Sequence, residues 1–422
     1  MALVVQKFGG SSVGSTDRLM AVARRLIAAK ERGNRVVAVV SAMGDVTDEL
    51  LAKALAISVD PPEREMDMLL ATGEQVTIAL LAMAIHAEGH LAMSLTGAQA
   101  GIVSDDVHTK ARIQEVRADR VMEALDSGHI VIVAGFQGLT PSGEITTLGR
   151  GGSDTTAVAV AAGLSADVCE IYTDVDGVFS ADPRVVPTAR KLKTVSYEEM
   201  LEMAACGAKV LMVRCVEYAR RYQMPVHVRS SFVSKSGTWV CAVPEEESME
   251  QAIISGVAHD RSEAKVTVVG VPDKPGNAAS ILRALADADV NIDMIVQNTS
   301  VAATGRTDIT FTVPTADGTP AMAALTKVQP QVGFESLLYD DHIGKVSLVG
   351  AGMRSHPGVS ATFFGALADA GVNVEIISTS EIRISVVCRD VDVPAAVAAV
   401  HAAFELEAAG DSPAVVYGGS GR

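Results

Sequence analysis

Aromatic residues make up only 4% of this 422-residue chain, with a single tryptophan. Its core must therefore be built from Ala, Val, Leu and Ile. Basic residues are outnumbered, 35 Lys and Arg against 51 Asp and Glu, and the net charge of -16 argues against nucleic acid as a main partner. Phosphate ligands stay open, because local lysines and helix ends can bind them inside an acidic protein. Cysteine is sparse: Cys169, Cys206, Cys215, Cys241 and Cys388 are scattered, odd in number and without metal-ligand spacing. Reduced thiols of a cytoplasmic protein are the expected state. The first apolar run breaks at Gln6-Lys7, so no signal peptide is expected, and no apolar run reaches membrane-spanning length. His86, His90, His108 and His129 show no ligand spacing and are read as surface or satisfied core residues. The length calls for two or three domains.

What the chain does have is a glycine-rich stretch, Thr146 to Arg184, around which the rest is organised. Gly149-Arg150-Gly151-Gly152 forms a turn, and Ser153-Asp154 leads into small apolar residues that predict a helix to Ala162. Ser and Asp are helix N-cap types, and helix starts attract anions. Val168 to Tyr172 reads as a strand emptying into the acidic loop Thr173-Asp174-Val175-Asp176-Gly177. That succession describes the carboxyl edge of an α/β sheet, where ligands bind.

The chain opens with a short apolar strand running into KFGGSS, Lys7 to Ser12. A helix with apolar Leu19, Val22, Ala23, Leu26 and Ile27 follows, then Gly33 and a second strand, Val36 to Val40. This is a βαβ unit, so the sheet is at least partly parallel. KFGGSS matches neither common phosphate-loop pattern and alone serves equally as a phosphate cradle or an ordinary turn. A helical tract from Glu65 to Ala87 carries Gly73-Glu74, where Glu74 is either a surface acid or a carboxylate facing the site. Ile130 to Ala134 predicts a strand, and Glu115 to Ser127 and Tyr197 to Ala205 predict helices. Lys209 is expected at a helix start, and Val226 to Val228 closes the sheet.

After Phe232 the composition changes to turn and linker, and an internal repeat follows. Lys265 pairs with Lys345, Pro275-Gly276 with Pro357-Gly358, Ala284 to Asp287 with Ala366 to Asp369, and Val290-Asn291-Ile292 with Val372-Asn373-Val374. Each copy reads strand, Pro-Gly loop, amphipathic helix, Asn turn and strand, continuing into a further strand at Asp308 to Val313 or Arg383 to Val387. Two small α+β modules are expected, serving as sensors, as an oligomerisation scaffold, or both.

KFGGSS, the Ser41-Ala42-Met43 strand end, Gly73-Glu74, TTLGRGGSDTTA, YTDVDGVFSADPR and GAKVL, in that order, resemble the aspartate kinases of the amino-acid kinase family. The paired repeats resemble ACT domains. The resemblance covers essentially the whole chain. It implies an α/β fold: a three-layer kinase domain with a mostly parallel sheet at 1–232, a linker at 233–263, and two ferredoxin-like ACT domains at 264–340 and 341–422. The implied activity is phosphoryl transfer from ATP, with Mg²⁺, to the β-carboxylate of L-aspartate. The product, 4-phospho-L-aspartate, leads toward lysine, threonine, methionine and diaminopimelate. The chain ends soon after the second repeat, so no fused homoserine dehydrogenase is expected. Rival readings are a family member acting on N-acetylglutamate, glutamate or UMP, and a non-catalytic amino-acid sensor. The Glu74 and Arg150 pairing and the tandem modules favour aspartate, and the presence of Lys7, Lys209 and Asp154 counts against an inactive domain.

The resemblance assigns the site residue by residue. Lys7 and Lys209 contact the ATP phosphates, Phe8, Gly9 and Gly10 form the loop over them, and Asp154 orients the lysines. Thr173, Asp174, Asp182, Pro183 and Arg184 line the nucleotide pocket, with Tyr172 nearby. Arg150 offers a bidentate fork for the substrate α-carboxylate, Glu74 pairs with its ammonium, and Ser41, Thr47, Gly151 and Ser153 neighbour it. No protein metal ligand is assigned. Met212-Val213 stands where many relatives have His-Pro, which leaves the local loop contacts open. Aspartate is already ionised at neutral pH, its reference pKa being ~3.9, so the chemistry needs positioning and charge neutralisation rather than a general base.

The same resemblance implies allosteric L-lysine and L-threonine. Asp273, Gly276, Asn277, Ala278, Asn291, Ile292, Asp293 and Gln297 are the effector candidates in the first repeat. Val359, Ser360, Asn373, Val374, Ser380 and Glu381 are those of the second. It also implies a homo- or hetero-oligomer, and one subset of such enzymes assembles as α2β2 with a regulatory chain started inside the same gene. Met249, preceded by Glu245-Glu246-Glu247 and a one-residue spacer, is a fitting start.

Overall fold

The computed structural model describes residues 1–242, 253–298, 304–351, 353, 356 and 358–407. Met249 lies outside them. The chain forms two compact units, residues 1–205 with 209–242, and residues 253–407 with Cys206–Ala208.

In chain order the first unit runs β1 Leu3–Phe8, α1 Gly10–Val13, α2 Thr16–Glu31, β2 Arg35–Val40, α3 Val46–Ile57, α4 Glu63–Leu70 and α5 Thr72–Ala87. It continues with β3 Ala92–Leu95, β4 Ile102–Ser104, β5 Ile113–Val116, α6 Asp119–Asp126, β6 Ile130–Ala134, β7 Gln137–Leu139, β8 Ile145–Thr147 and α7 Gly152–Gly163. It ends with β9 Val168–Thr173, β10 Thr194–Val195, α8 Tyr197–Ala205, α9 Val213–Tyr222, β11 Val226–Ser230 and β12 Thr238–Val240. The main sheet has the order β10-β12-β11-β9-β1-β2-β6-β3, parallel except where β12 meets β11. Its central strands read as unbroken apolar runs because helices cover both faces. One face packs Phe8, Val40, Ile130 and Ile132 against Leu26 of α2 and Leu81 and Ile85 of α5. The other carries α7, which is buried along most of its length. A second sheet, β5-β4-β7-β8, lies beyond the carboxyl ends of β3 and β6 in sequence.

The second unit contains β13 Ile253–Asp260, β14 Glu263–Pro272, α10 Asn277–Ala286, β15 Ile295–Gln297, β16 Arg306–Pro314, α11 Gly318–Val332 and β17 Ser336–Asp340. There follow β18 Ile343–Ala351, α12 Gly358–Asp369, β19 Ile376–Thr379, β20 Arg383–Arg389 and α13 Val393–Ala403. The sheets are β15-β16-β14-β17 and β13-β18-β20-β19. Each repeat thus forms one antiparallel sheet, but the fourth strand of the second, β13, precedes the first repeat. The first module is nested inside the second. β13 falls within 233–263, where composition suggests a linker, and it pairs with β18 from Ile253↔Ala351 to Asp260↔Lys345.

Several local expectations are corrected. The stretch Glu115 to Ser127 is not one helix. Its start completes the edge strand β5, whose Glu115 pairs in solvent at 2.8 Å with Arg117 just beyond the strand, and the helix begins only at Asp119. The tract Glu65 to Ala87 is two helices, α4 and α5, meeting at Ala71. By length and composition the 25 residues Glu63–Ala87 meet the requirement for crossing a membrane, contrary to expectation, but Leu70, Ile78, Leu81 and Ile85 are buried in the unit. Lys209 sits in a turn rather than at a helix start, and α9 begins at Val213. The sheet does not close at Val228, since β12 and β10 lie beyond β11.

Candidate functional site

The carboxyl ends of β1, β2 and β9 and the start of α7 meet at one edge of the main sheet. Lys7, one residue from the end of β1, puts its Nζ 2.5 Å from Asp154 Oδ1 in the first turn of α7. Both side chains are only 12% exposed. A charge pair so largely removed from water needs excellent geometry to persist, and here it ties the loop after β1 to a helix start. The loops after β1 and β2 are joined by Ser41 N–H donating to Phe8 O (3.1 Å) and Gly44 N–H donating to Gly10 O (3.1 Å). The Ser12 hydroxyl turns to Ser231 Oγ at 2.6 Å. Phe8 and Tyr172 are buried and stack at 4.8 Å, so any ligand contact of Phe8 runs through its main chain.

Glu74, in the first turn of α5, is buried at 3% exposure. Its Oε1 accepts from Ala42 N–H at 3.1 Å, while Oε2 has no hydrogen-bond partner among the described residues. Burial pushes its pKa up from 4.5 to about 7, against the pull of backbone N–H donors. An incompletely met carboxylate at a ligand edge is a natural place for a cation. Arg150 is exposed at the head of α7. The next residue, Gly151, caps α7 with φ 70°, and a Cβ there would fall 2.1 Å from Met212 Cγ. Met212, the N-cap of α9 and three residues after Lys209, therefore packs on the glycine turn. Ser153 is buried in the first turn of α7, and Ser41 and Thr47 are half-buried at the end of β2 and the start of α3.

Beyond β9, the Thr173 hydroxyl donates to Asp174 Oδ1 at 3.0 Å. Arg184 holds Asp182 through Nε and Nη2, the latter at 2.7 Å, and the Asp182 carboxylate raises the arginine pKa. Pro183 lies between them. Asp176 Oδ2 takes Lys235 Nζ at 3.1 Å. Burial pushes the Cys169 and Cys215 thiols well above their ordinary pKa, which suits packing rather than nucleophilic work. No group of three or more His, Cys, Asp or Glu suited to a metal occurs among the described residues.

In the second unit, Gly276 caps α10, and the Asn277 side chain donates to Pro272 O at 2.8 Å. Asp273, Ser360, Asn373, Ser380, Glu381 and Gln297 are exposed, Val359 is buried, and Ala278 and Ile292 pack against the module core. Asn291 and Val374 lie in the turns after α10 and α12. Asp293 is already engaged by Lys345 at 2.5 Å. Sequence reasoning missed Met212 as a packing partner of Gly151, as well as the buried Asp67 and its contacts with Thr109 and Thr147. An isolated acid inside a helix carries no signal of its own.

Residues 2–230 match the Amino acid kinase family, and 266–329 and 346–404 match the ACT domain. An aspartokinase of Mycolicibacterium smegmatis is 62% identical over the full length of both chains, and one of Corynebacterium glutamicum is 58% identical, also over full length. The solved aspartate kinase of Synechocystis is 43% identical, with a TM-score of 0.54 over 97% of this chain and 70% of that one. E. coli aspartokinase III, solved with aspartate and ADP, has a TM-score of 0.82 at 24% identity over 96% and 100% of the two chains, a likeness of fold. The chain belongs to the amino acid kinase family, as a member with C-terminal ACT domains. Its activity is that of an aspartate kinase, a phosphotransferase of amino-acid biosynthesis.

Proposed function

We propose that this chain phosphorylates L-aspartate with Lys7, Asp154, Lys209, Glu74 and Arg150 as its working residues. The observation that carries the reading is Glu74, a buried carboxylate with one oxygen unmet at the loop that follows β2. The substrate ammonium is the cation that completes it, and the Arg150 fork takes the α-carboxylate. The β-carboxylate then faces the nucleotide. One of its oxygens forms a bond to the γ-phosphorus of ATP as the bond to the β–γ bridging oxygen breaks, and ADP leaves. No proton moves, so the task is alignment and neutralisation of the charge on the transferring group. Asp154 holds Lys7 at the phosphates, and Lys209 approaches from the turn three residues before Met212. Mg²⁺ carried by ATP would supply further charge neutralisation on the phosphates, and no residue of the chain is assigned to hold it.

Thr173, Asp174, Asp182 and Arg184 are taken as the nucleotide side of the site, on the loop beyond β9 where Thr173 bonds Asp174 and Arg184 bonds Asp182. Regulation by lysine and threonine at the paired modules is part of the proposal. E. coli aspartokinase III has also been solved with lysine and aspartate, at a TM-score of 0.73. The assembly is taken as homo- or hetero-oligomeric and the compartment as the cytoplasm, where ATP and aspartate are held. The catalytic unit runs through β12, past the expected boundary at 232, and β13 belongs to the regulatory part.

A coupled assay for ADP release across L-aspartate, glutamate, N-acetylglutamate and UMP tests the substrate. Lys7→Ala or Lys209→Ala should lower kcat by ~10²–10³, the usual effect of removing one group that meets transition-state charge. Arg150→Ala should mainly raise the aspartate KM. Wild-type turnover in both lysine variants would overturn the site.

A further inference from the structure

Asp67, in the middle of α4, is 0% exposed. A buried carboxylate is costly unless its lone pairs are met, and these are met by two segments distant in sequence. Oδ2 accepts from His108 Nδ1 at 2.7 Å, Oδ1 from the Thr147 hydroxyl at 2.5 Å, and both oxygens from Thr109 N–H at 3.1 Å.

Thr109 is the unusual partner, with φ at 62°. A β-branched residue there is an outlier, and it persists only where surrounding structure over-determines it. The bonds from its N–H to Asp67 do that. Its carbonyl in turn lies against Gly149, whose φ is 72°, and a Cβ on Gly149 would fall 3.2 Å from Thr109 O. Thr147 ends β8, and Ala111 N–H donates to its carbonyl at 2.9 Å. From α9, Arg214 donates to Leu148 O at 2.7 Å and Ala111 O at 2.9 Å. The residues on the N-terminal side of Arg150 are therefore seated in a polar cradle of which Asp67 is the one buried charge. Arg150 itself is exposed just beyond that seat.

We propose that Asp67 is a positioning residue for the amino-acid substrate. It fixes the loop around Thr109 and the end of β8, so that the glycine turn presents the Arg150 guanidinium in one orientation. This rests on the assignment of Arg150 to the substrate α-carboxylate. An arginine on an unfixed turn would still bind a carboxylate, but would lose alignment of the β-carboxylate on the phosphoryl group.

The test is steady-state kinetics on the full chain. Asp67→Asn keeps the side-chain shape while turning an acceptor into a donor toward groups that already donate. The aspartate KM should rise by ~10-fold or more while the ATP KM stays within about 2-fold, the difference expected when one substrate's anchor is misaligned. In an Arg150→Ala background the same change should add little, because both act through one guanidinium. Thr147→Val removes a single bond of the set and should give a smaller rise, with Thr147→Ser recovering most of the affinity. This second pair carries the test if Asp67→Asn does not fold. Equal loss of ATP and aspartate affinity, or full additivity with a large Arg150→Ala effect, overturns the role of Asp67. An unchanged aspartate KM in Arg150→Ala alone overturns instead the assignment of Arg150.

Discussion

Lys345 reaches out of its own repeat to place Nζ 2.5 Å from Asp293 Oδ2, and its repeat equivalent, Lys265, reaches back to Glu375. Asp293 and Glu375 are themselves equivalents, each two residues after the Asn of a repeat turn. The two modules are thus joined by a reciprocal pair of lysine–acid bridges. The pair is unequal. Lys345 is 1% exposed and also bonds Glu263 Oε1 at 2.5 Å, whereas Lys265 is 21% exposed and shares Glu375 and Asp340 with Arg389. Burial would depress the Lys345 ammonium, but the Glu263 and Asp293 carboxylates outweigh it and hold its pKa above that of an ordinary lysine.

Lys345→Met should therefore destabilise the regulatory unit strongly, by about 3–5 kcal/mol, since the buried Glu263 carboxylate would lose its cation, and Asp293, 34% exposed, its partner. Lys265→Met should cost about 1 kcal/mol or less, its site being partly solvated. Thermal or denaturant unfolding of the two variants reads the difference. Equal effects would mean that the bridges are equivalent in energy despite their burial.

Glu74 sets a pH dependence with a definite sign. Its folded pKa, about 7, lies above the unfolded value near 4.5, so its contribution to stability is fully present below pH 4.5 and is lost as pH rises through 7. The ligand-free protein should lose a few kcal/mol from this group over that window, at ~1.4 kcal/mol per pKa unit. Glu74→Gln should flatten that slope. Binding the substrate ammonium requires the ionised form, so the aspartate KM should rise as pH falls below 7, and Glu74→Gln should raise KM and remove the trend. A pH-independent aspartate KM in the unaltered enzyme would contradict this.

Much of this architecture is legible in the chain, and the reasons are physical. Apolar runs such as Val36 to Val40 mark strands covered on both faces, and the glycines at 149, 151 and 152 mark the turn that leads into a helix. The duplicated Asn turns mark the two modules. The nesting of the modules is not legible, because β13 carries no repeat equivalent upstream and its partner β18 lies over eighty residues away. Asp67 is equally hidden. An acid in an amphipathic helix is ordinarily a solvated one, and only the fold brings Thr109 and Thr147 to it. The break at Ala71 and the late start of α6 escape periodicity because neighbouring apolar residues suit either reading.

The regulatory readings make a third prediction. Ser380 lies in the turn joining β19 to β20, where its N–H donates to Arg383 O at 2.8 Å, and the Thr310 hydroxyl shares a hydrogen bond with that of Thr267 at 3.0 Å. A bulky residue at either place should relieve inhibition by lysine and threonine while leaving aspartate turnover intact. Coupling of ~1–3 kcal/mol is typical, so loss of it should raise the inhibitor concentration for half effect by about 5-fold or more. Inhibition unchanged in both variants, or absent from the unaltered enzyme with both amino acids present, would defeat the proposal.

The last prediction concerns an internal start at Met249. Nesting makes the position of such a start demanding, because β13 begins at Ile253 and supplies the fourth strand of the second module's sheet. A product beginning after Asp260 would leave the β18 edge unpaired, and exposed edges recruit other strands. A product beginning at Met249 keeps β13 and everything downstream, so both modules retain their full sheets. Upstream, the codons of Glu245-Glu246-Glu247 are rich in purines, as a bacterial ribosome-binding site is, and Ser248 supplies a short spacer. The gene should therefore yield a second, shorter chain that co-purifies with the first in its own host. Met249→Ala should remove that band and leave the full-length chain active toward aspartate. A single full-length species from the unaltered gene would rule out the internal start and leave Met249 an ordinary residue of the connection.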